Sequence, residues 1–152
     1  MTSPLLLLAD AGAPDMSPAW RPAPEDDYEP RSGPSVGRVL VVEDEAMVRS
    51  YLARLLREFG HSVEIAANGA DGWRLALAAP DKFDLVITDV RMPVMDGWEL
   101  GRRLHERWPG LPVLYISGYD VEQASPSAAT FLRKPFDPDD LIRRVTQLLG
   151  ER

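Results

Sequence analysis

From Gly37 onward, short aliphatic runs alternate with segments of helical hydrophobic period, and that alternation leaves few folds open. Val39-Leu40-Val41-Val42 is a β-branched run halted by acids, the pattern of a strand buried on both faces. Met47, Val48, Tyr51, Leu52, Leu55, Leu56 and Phe59 then recur at helical steps, and Gly60 ends that helix. His61 to Ala67 alternates, with Val63 and Ile65 on one face, as in an edge strand. Asn68 is placed to cap a helix carrying Trp73 and Leu77. Phe83 to Thr88 reads as a strand ending at Asp89, and Asp96 and Glu99 have capping-box spacing before a helix with Trp98, Leu104 and Trp108. Val113 to Ile116 is a fourth strand and Thr130-Phe131-Leu132 a short fifth. Asp137-Pro138 then opens a last helix that buries Leu141, Ile142, Val145, Leu148 and Leu149.

Strands alternating with helices imply an α/β fold, a parallel sheet covered on both faces. Right-handed crossovers bring the C-terminal ends of all strands to one edge, where such sheets bind ligands. The residues just past the strands are Glu43-Asp44, Asp89, Ser117 and Lys134.

Residues 1–36 have a different character. They hold seven of the 14 prolines and six acids, against two arginines, with no hydrophobic period. This predicts a disordered Pro/acid-rich leader ahead of a folded domain at 37–152. The whole chain of 152 residues has 24 acidic and 17 basic residues and a formal charge of −7. Nucleic acid is disfavoured as a partner on that balance, because phosphate neutralisation needs a basic face. The absence of cysteine excludes a disulfide scaffold, a thiolate zinc site and a cysteine nucleophile. The longest aliphatic run, Leu5 to Leu8, is too short to span a bilayer, and no Lys or Arg precedes it as a secretory signal requires. The expected location is cytoplasmic, with no membrane partner.

Three carboxylates brought together at one sheet edge repel one another, and a hard divalent cation relieves that conflict. A lysine opposite them supplies a second positive charge and a serine hydroxyl a hydrogen bond. Two cations and a donor around one carboxylate suit a phosphoryl group. Taken singly, each residue has an ordinary structural role: a helix cap for Asp44, a turn for Ser117, a surface charge for Lys134. Their conjunction at successive strand ends carries the inference.

The segments VLVVEDE (39–45), ITDVRMPVMDGWEL (87–100), PVLYISGY (112–119) and FLRKPF (131–136) resemble the receiver domains of bacterial two-component response regulators, chemotaxis-regulator-like. The likeness extends to stand-alone receivers and to the C-terminal receivers of hybrid histidine kinases, and covers about residues 37–150. It implies a doubly wound five-stranded sheet of flavodoxin-like order 2-1-3-4-5. It makes Asp89 the phosphoacceptor, and Mg2+ the cofactor, held by Glu43, Asp44, Asp89 and the backbone carbonyl of Arg91. Ser117 and Lys134 would bind the phosphoryl group, and Phe131 would turn inward on activation. Lys134–Pro135 would be a cis peptide, on the resemblance alone, since cis is a minority state of X–Pro bonds. The implied donor is a histidine kinase or phosphotransfer protein, and the domain would be a signalling phosphoacceptor that assists its own modification rather than an enzyme.

Two departures from the family pattern stand out. The 17 positions from Ser117 to Lys134, with Pro126 and a run of small residues, predict a shortened or broken fourth helix. Arg91 and Tyr119, two residues beyond Asp89 and Ser117, are bulky at positions that tune dephosphorylation in the family; they would either shield the acyl phosphate or stand as two solvated side chains at the rim.

With no effector segment after Gly150, the sequence reads as a single-domain response regulator without an output domain, acting by relay or on a downstream protein partner. An alternative is a receiver-like interaction module that acts without phosphorylation, against which the full set of site residues argues. An aspartate-nucleophile phosphohydrolase would carry Asp-x-Asp after the first strand, where this chain has Glu43-Asp44-Glu45. No glycine-rich loop follows Val42 to cradle a pyrophosphate.

Overall fold

The structure, a computed structural model, describes residues 36–79, 81–118 and 130–150. The predicted leader, Tyr119 and the fourth-helix segment lie outside the described residues. Five strands are present among those described: β1 (Arg38–Val42), β2 (Ser62–Ala66), β3 (Leu85–Asp89), β4 (Val113–Ser117) and β5 (Thr130–Arg133). Four helices accompany them: α1 (Ala46–Glu58), α2 (Gly69–Ala78), α3 (Gly97–Arg107) and α4 (Pro138–Gly150). All neighbouring strands are parallel and the sheet order is β2-β1-β3-β4-β5, the flavodoxin-like order 2-1-3-4-5.

Side-chain alternation sorts the sheet into two cores. Val39 and Val41 of β1, Leu85 and Ile87 of β3, Leu114 and Ile116 of β4, and Leu132 of β5 face α1 and α4. There they meet Leu52 and Leu56 of α1 and Leu141, Val145 and Leu149 of α4. The opposite faces, Leu40, Val42 and Val86, pack on Ala76 of α2 and on Leu100 and Leu104 of α3. Complete burial of Val39 to Val42 is what a central parallel strand requires.

The helix ends follow their sequence signals. Asn68 accepts the Asp71 N–H at 2.8 Å and Asp96 the Glu99 N–H at 2.8 Å. The Asp137 carboxylate accepts the Asp139 N–H at 2.9 Å, ahead of Pro138 in the first turn of α4. Past α1, Gly60 takes φ +97°, with its N–H on the Arg57 carbonyl and the His61 N–H on the Leu56 carbonyl. That paired bonding is the Schellman ending, and glycine adopts it without steric cost.

Five apolar residues depart from their expected places. Met47 and Phe59 keep the helical period of α1, yet they stand at its ends beyond the cover of the sheet and are exposed. Leu77 is exposed as well, because α2 approaches the sheet through its small residues Gly72 and Ala76. Ile142 and Leu148 flank the buried face of α4 and are only partly buried.

Candidate functional site

The alternation that builds the first core also builds the site. Val41, Ile87 and Leu132 face α1 and α4, and two residues further along each chain stand Glu43, Asp89 and Lys134. The ladder continues past the strands to hold them: the Glu43 N–H donates to the Ala66 carbonyl at 3.0 Å and the Lys134 N–H to the Ser117 carbonyl at 2.7 Å. Val42 pairs with Thr88 and Asp89 with Ile116, so Glu43 and Ser117 extend the strands on either side of Asp89.

Glu43, Asp44 and Asp89 each bring a carboxylate oxygen within 4.8 Å of the others. Glu43 is 1% exposed and Asp89 8%, whereas Asp44 opens to solvent. Two ionised carboxylates at that separation repel by about 3–4 kcal/mol at an effective dielectric constant near 20. The Lys134 ammonium answers them, donating to Glu43 Oε1 at 3.1 Å and to Asp89 Oδ2 at 3.4 Å. One ammonium does not neutralise three carboxylates. Burial, the largest cause, together with the charge of Asp89, pushes the Glu43 carboxyl up to about 7, against the pull of the Glu45 N–H and of Lys134. Burial alone would lower the Lys134 ammonium, but Asp89 and Glu43 overcome it and raise it above its ordinary value.

The structure brings Glu43, Asp44, Asp89 and Lys134 together and sets Ser117, buried, at the end of β4 beside them. Arg91 lies exposed in the connection from β3 to α3, two residues after Asp89. The Lys134–Pro135 peptide bond is cis. Phe131 stands on the other face of β5, packed with Val90, Trp98, Val113 and Tyr115, and the Trp98 and Tyr115 rings lie 4.5 Å apart.

Other residues shape the site although the sequence reading assigned them no role there. The Thr88 hydroxyl donates to the Asp89 carbonyl at 2.8 Å. Gly97 donates its N–H to the Val90 carbonyl at 2.8 Å, at the start of α3. The Glu45 N–H donates to Glu43 Oε2 at 3.1 Å, and Arg49 reaches back from α1 to the Glu43 carbonyl at 2.8 Å. A lone glycine or arginine carries little in a sequence, and only the fold shows what each one touches.

Residues 39–146 match the family described as the response regulator receiver domain. The chain is 38% identical over 117 residues to the transcriptional regulatory protein PcoR of Escherichia coli, a stretch covering 74% of this chain and 51% of PcoR. It is 34% identical over 117 residues to the response regulator receiver protein CpdR of Brucella abortus (strain 2308), covering 74% of this chain and 96% of CpdR. Among solved structures, the receiver domain from the hybrid histidine kinase CckA matches with a TM-score of 0.66 and 42% identity, covering 74% of this chain and 99% of that one. This chain thus spans about half the length of PcoR and nearly all of CpdR. With sheet order, matched span and relatives in agreement, the chain belongs to the response regulator receiver domains of two-component systems.

Proposed function

We propose that Asp89 accepts a phosphoryl group from a histidine kinase or phosphotransfer protein, with Mg2+ held by Glu43, Asp44, Asp89 and the main-chain carbonyl of Arg91. The observation that carries this reading is the nest itself, three carboxylates within 4.8 Å of one another answered by a single ammonium. Its donors are all oxygens, which suits a hard cation, and receiver domains bind Mg2+ at an acidic pocket of this kind. When bound, the cation neutralises charge on the carboxylates and on the phosphoryl oxygens.

An Asp89 carboxylate oxygen attacks phosphorus in line. The new O–P bond forms as the P–N bond to the donor imidazole breaks, its electron pair returning to the ring. Lys134, already 3.4 Å from Asp89 Oδ2, turns to a phosphoryl oxygen, and the Ser117 hydroxyl donates to another. These movements bias the Phe131 side chain and its aromatic neighbours, a local charge event with a readout on the surface. Water then cleaves the acyl phosphate and resets the domain. Arg91, exposed two residues past Asp89, shields that bond and slows the step.

Output passes to a partner protein, or the phosphoryl group moves on to another carrier. The formal charge of −7 favours protein over DNA as this chain's own partner.

The test is incubation with acetyl phosphate in Mg2+ or in EDTA, followed by intact mass. A phosphoryl adduct should form in Mg2+, should be lost in EDTA, and should fall strongly in Lys134→Ala. Equal adduct in both buffers would remove the metal from the scheme.

A further inference from the structure

Glu43 is tied at every polar atom. Its N–H donates to the Ala66 carbonyl at 3.0 Å, its Oε2 accepts from the Glu45 N–H at 3.1 Å, and its Oε1 accepts from Lys134 at 3.1 Å. Its carbonyl accepts from Arg49 Nη1 at 2.8 Å. The Asp44 carboxylate next to it is exposed and makes no hydrogen bond or ion pair among the described residues. We infer that Arg49 is a positioning residue for this acidic corner: its guanidinium clamps the Glu43 carbonyl and fixes the peptide from which Asp44 is presented. The inference rests on the Mg2+-dependent phosphoacceptor reading of the site.

Two of the four ties use the Glu43 carboxylate, the same oxygens that a cation draws upon. The Lys134 tie is also given up when that ammonium turns to a phosphoryl group. Two ties survive both events. The ladder bond to Ala66 holds the N–H side of Glu43, and the Arg49 clamp holds the carbonyl side leading into Asp44. Glu45, the N-cap residue of α1, makes no side-chain capping bond that would otherwise fix this corner. Arg49 is well anchored for the task, since it lies within α1, half-buried, with its own N–H on the Glu45 carbonyl at 2.9 Å.

The clamp and the charge of Arg49 act on a cation with opposite signs. A guanidinium near the nest repels Mg2+, so removing its charge alone should tighten binding. Removing the clamp frees the corner and should weaken binding, as loss of an outer-shell partner does by about tenfold or more. Two uncharged variants separate these effects. Arg49→Met keeps the aliphatic stem but has no donor, and Arg49→Gln keeps an N–H donor.

The experiment titrates the full chain with Mg2+ alone, by calorimetry, in the wild type and both variants. It also measures amide hydrogen exchange at Asp44 and Glu45 in EDTA. The clamp predicts that Arg49→Met binds Mg2+ about tenfold more weakly and exchanges faster at those amides, while Arg49→Gln recovers much of both. Arg49→Met binding as tightly as wild type or tighter, with unchanged exchange, would overturn it. A wild type that binds no Mg2+ would overturn the reading of the site instead, and exchange in the metal-free chain would still decide the clamp.

Discussion

A Cβ at Gly97 would come to 2.1 Å from the carbonyl oxygen of Asp89, so the first residue of α3 rests directly on the main chain of the proposed phosphoacceptor. The same oxygen takes the Thr88 hydroxyl, and the neighbouring Val90 carbonyl takes the Gly97 N–H. Helix and acceptor strand are thereby set against each other by backbone contact.

Gly97→Ala should therefore move α3, Asp89 or both, since backbone atoms block the added methyl. Overpacking of this kind costs about 1–3 kcal/mol. Urea unfolding should show that loss, and phosphorylation by acetyl phosphate should slow with it. A variant with unchanged stability and rate would contradict the contact.

Val94 occupies the connection just before α3 at φ +73°, a left-handed conformation that a β-branched residue rarely adopts, and its side chain is 85% exposed. Little burial is at stake in replacing it. Val94→Asn should stabilise the fold by about 0.5–1 kcal/mol through relief of that backbone strain. Chemical denaturation checks this, and a destabilised Asn variant would count against strain at this position.

The raised Glu43 carboxyl makes stability depend on pH in a definite direction. Its folded value of about 7 lies above its ordinary value of 4.5, so the folded state holds a proton that the unfolded state has released. Its contribution is fully present below 4.5 and is lost as pH rises through 7. In EDTA at pH 8, Glu43→Gln should be more stable than wild type, and its advantage should shrink toward pH 5. Added Mg2+ should stabilise the wild type more than the variant. Melting curves across pH test all three.

His61 runs the other way. Burial lowers its imidazole below the ordinary 6.5, and its Nδ1 accepts the Gly37 N–H at 3.2 Å, which only an unprotonated nitrogen can do. The stability it contributes is present above 6.5 and is lost as pH falls through its folded value. His61→Asn retains an acceptor oxygen without titrating. The stability difference between wild type and His61→Asn should therefore shift against the wild type as pH drops from 7 to 5, and a constant difference would refute this role.

Much of the fold could be read from hydrophobic period and caps. The run Val39 to Val42 and the caps Asn68, Asp96 and Asp137 acted locally, where a few neighbouring residues suffice to determine the outcome. The convergence of Glu43, Asp44, Asp89 and Lys134 followed from strand ends sharing one sheet edge. Period could not show that α2 docks through glycine and alanine: a Cβ at Gly72 would stand 2.9 Å from Val42 Cγ2, and that close approach turns Leu77 outward. Neither could it show Arg49 reaching back six residues to the Glu43 carbonyl, or Val94 taking a left-handed conformation within the turn closed by the Met95 N–H on the Pro93 carbonyl, because hydrophobic period carries no information on side-chain-to-backbone bonds or on the sign of φ.

The central claim is the identity of the acceptor, and mass spectrometry after exposure to acetyl phosphate and Mg2+ tests it most directly, with peptide mapping of wild type and Asp89→Asn. A single phosphoryl group on the peptide containing Asp89, absent from the variant, is the predicted result. The same modification in both proteins, or a group mapped to another side chain, would contradict it.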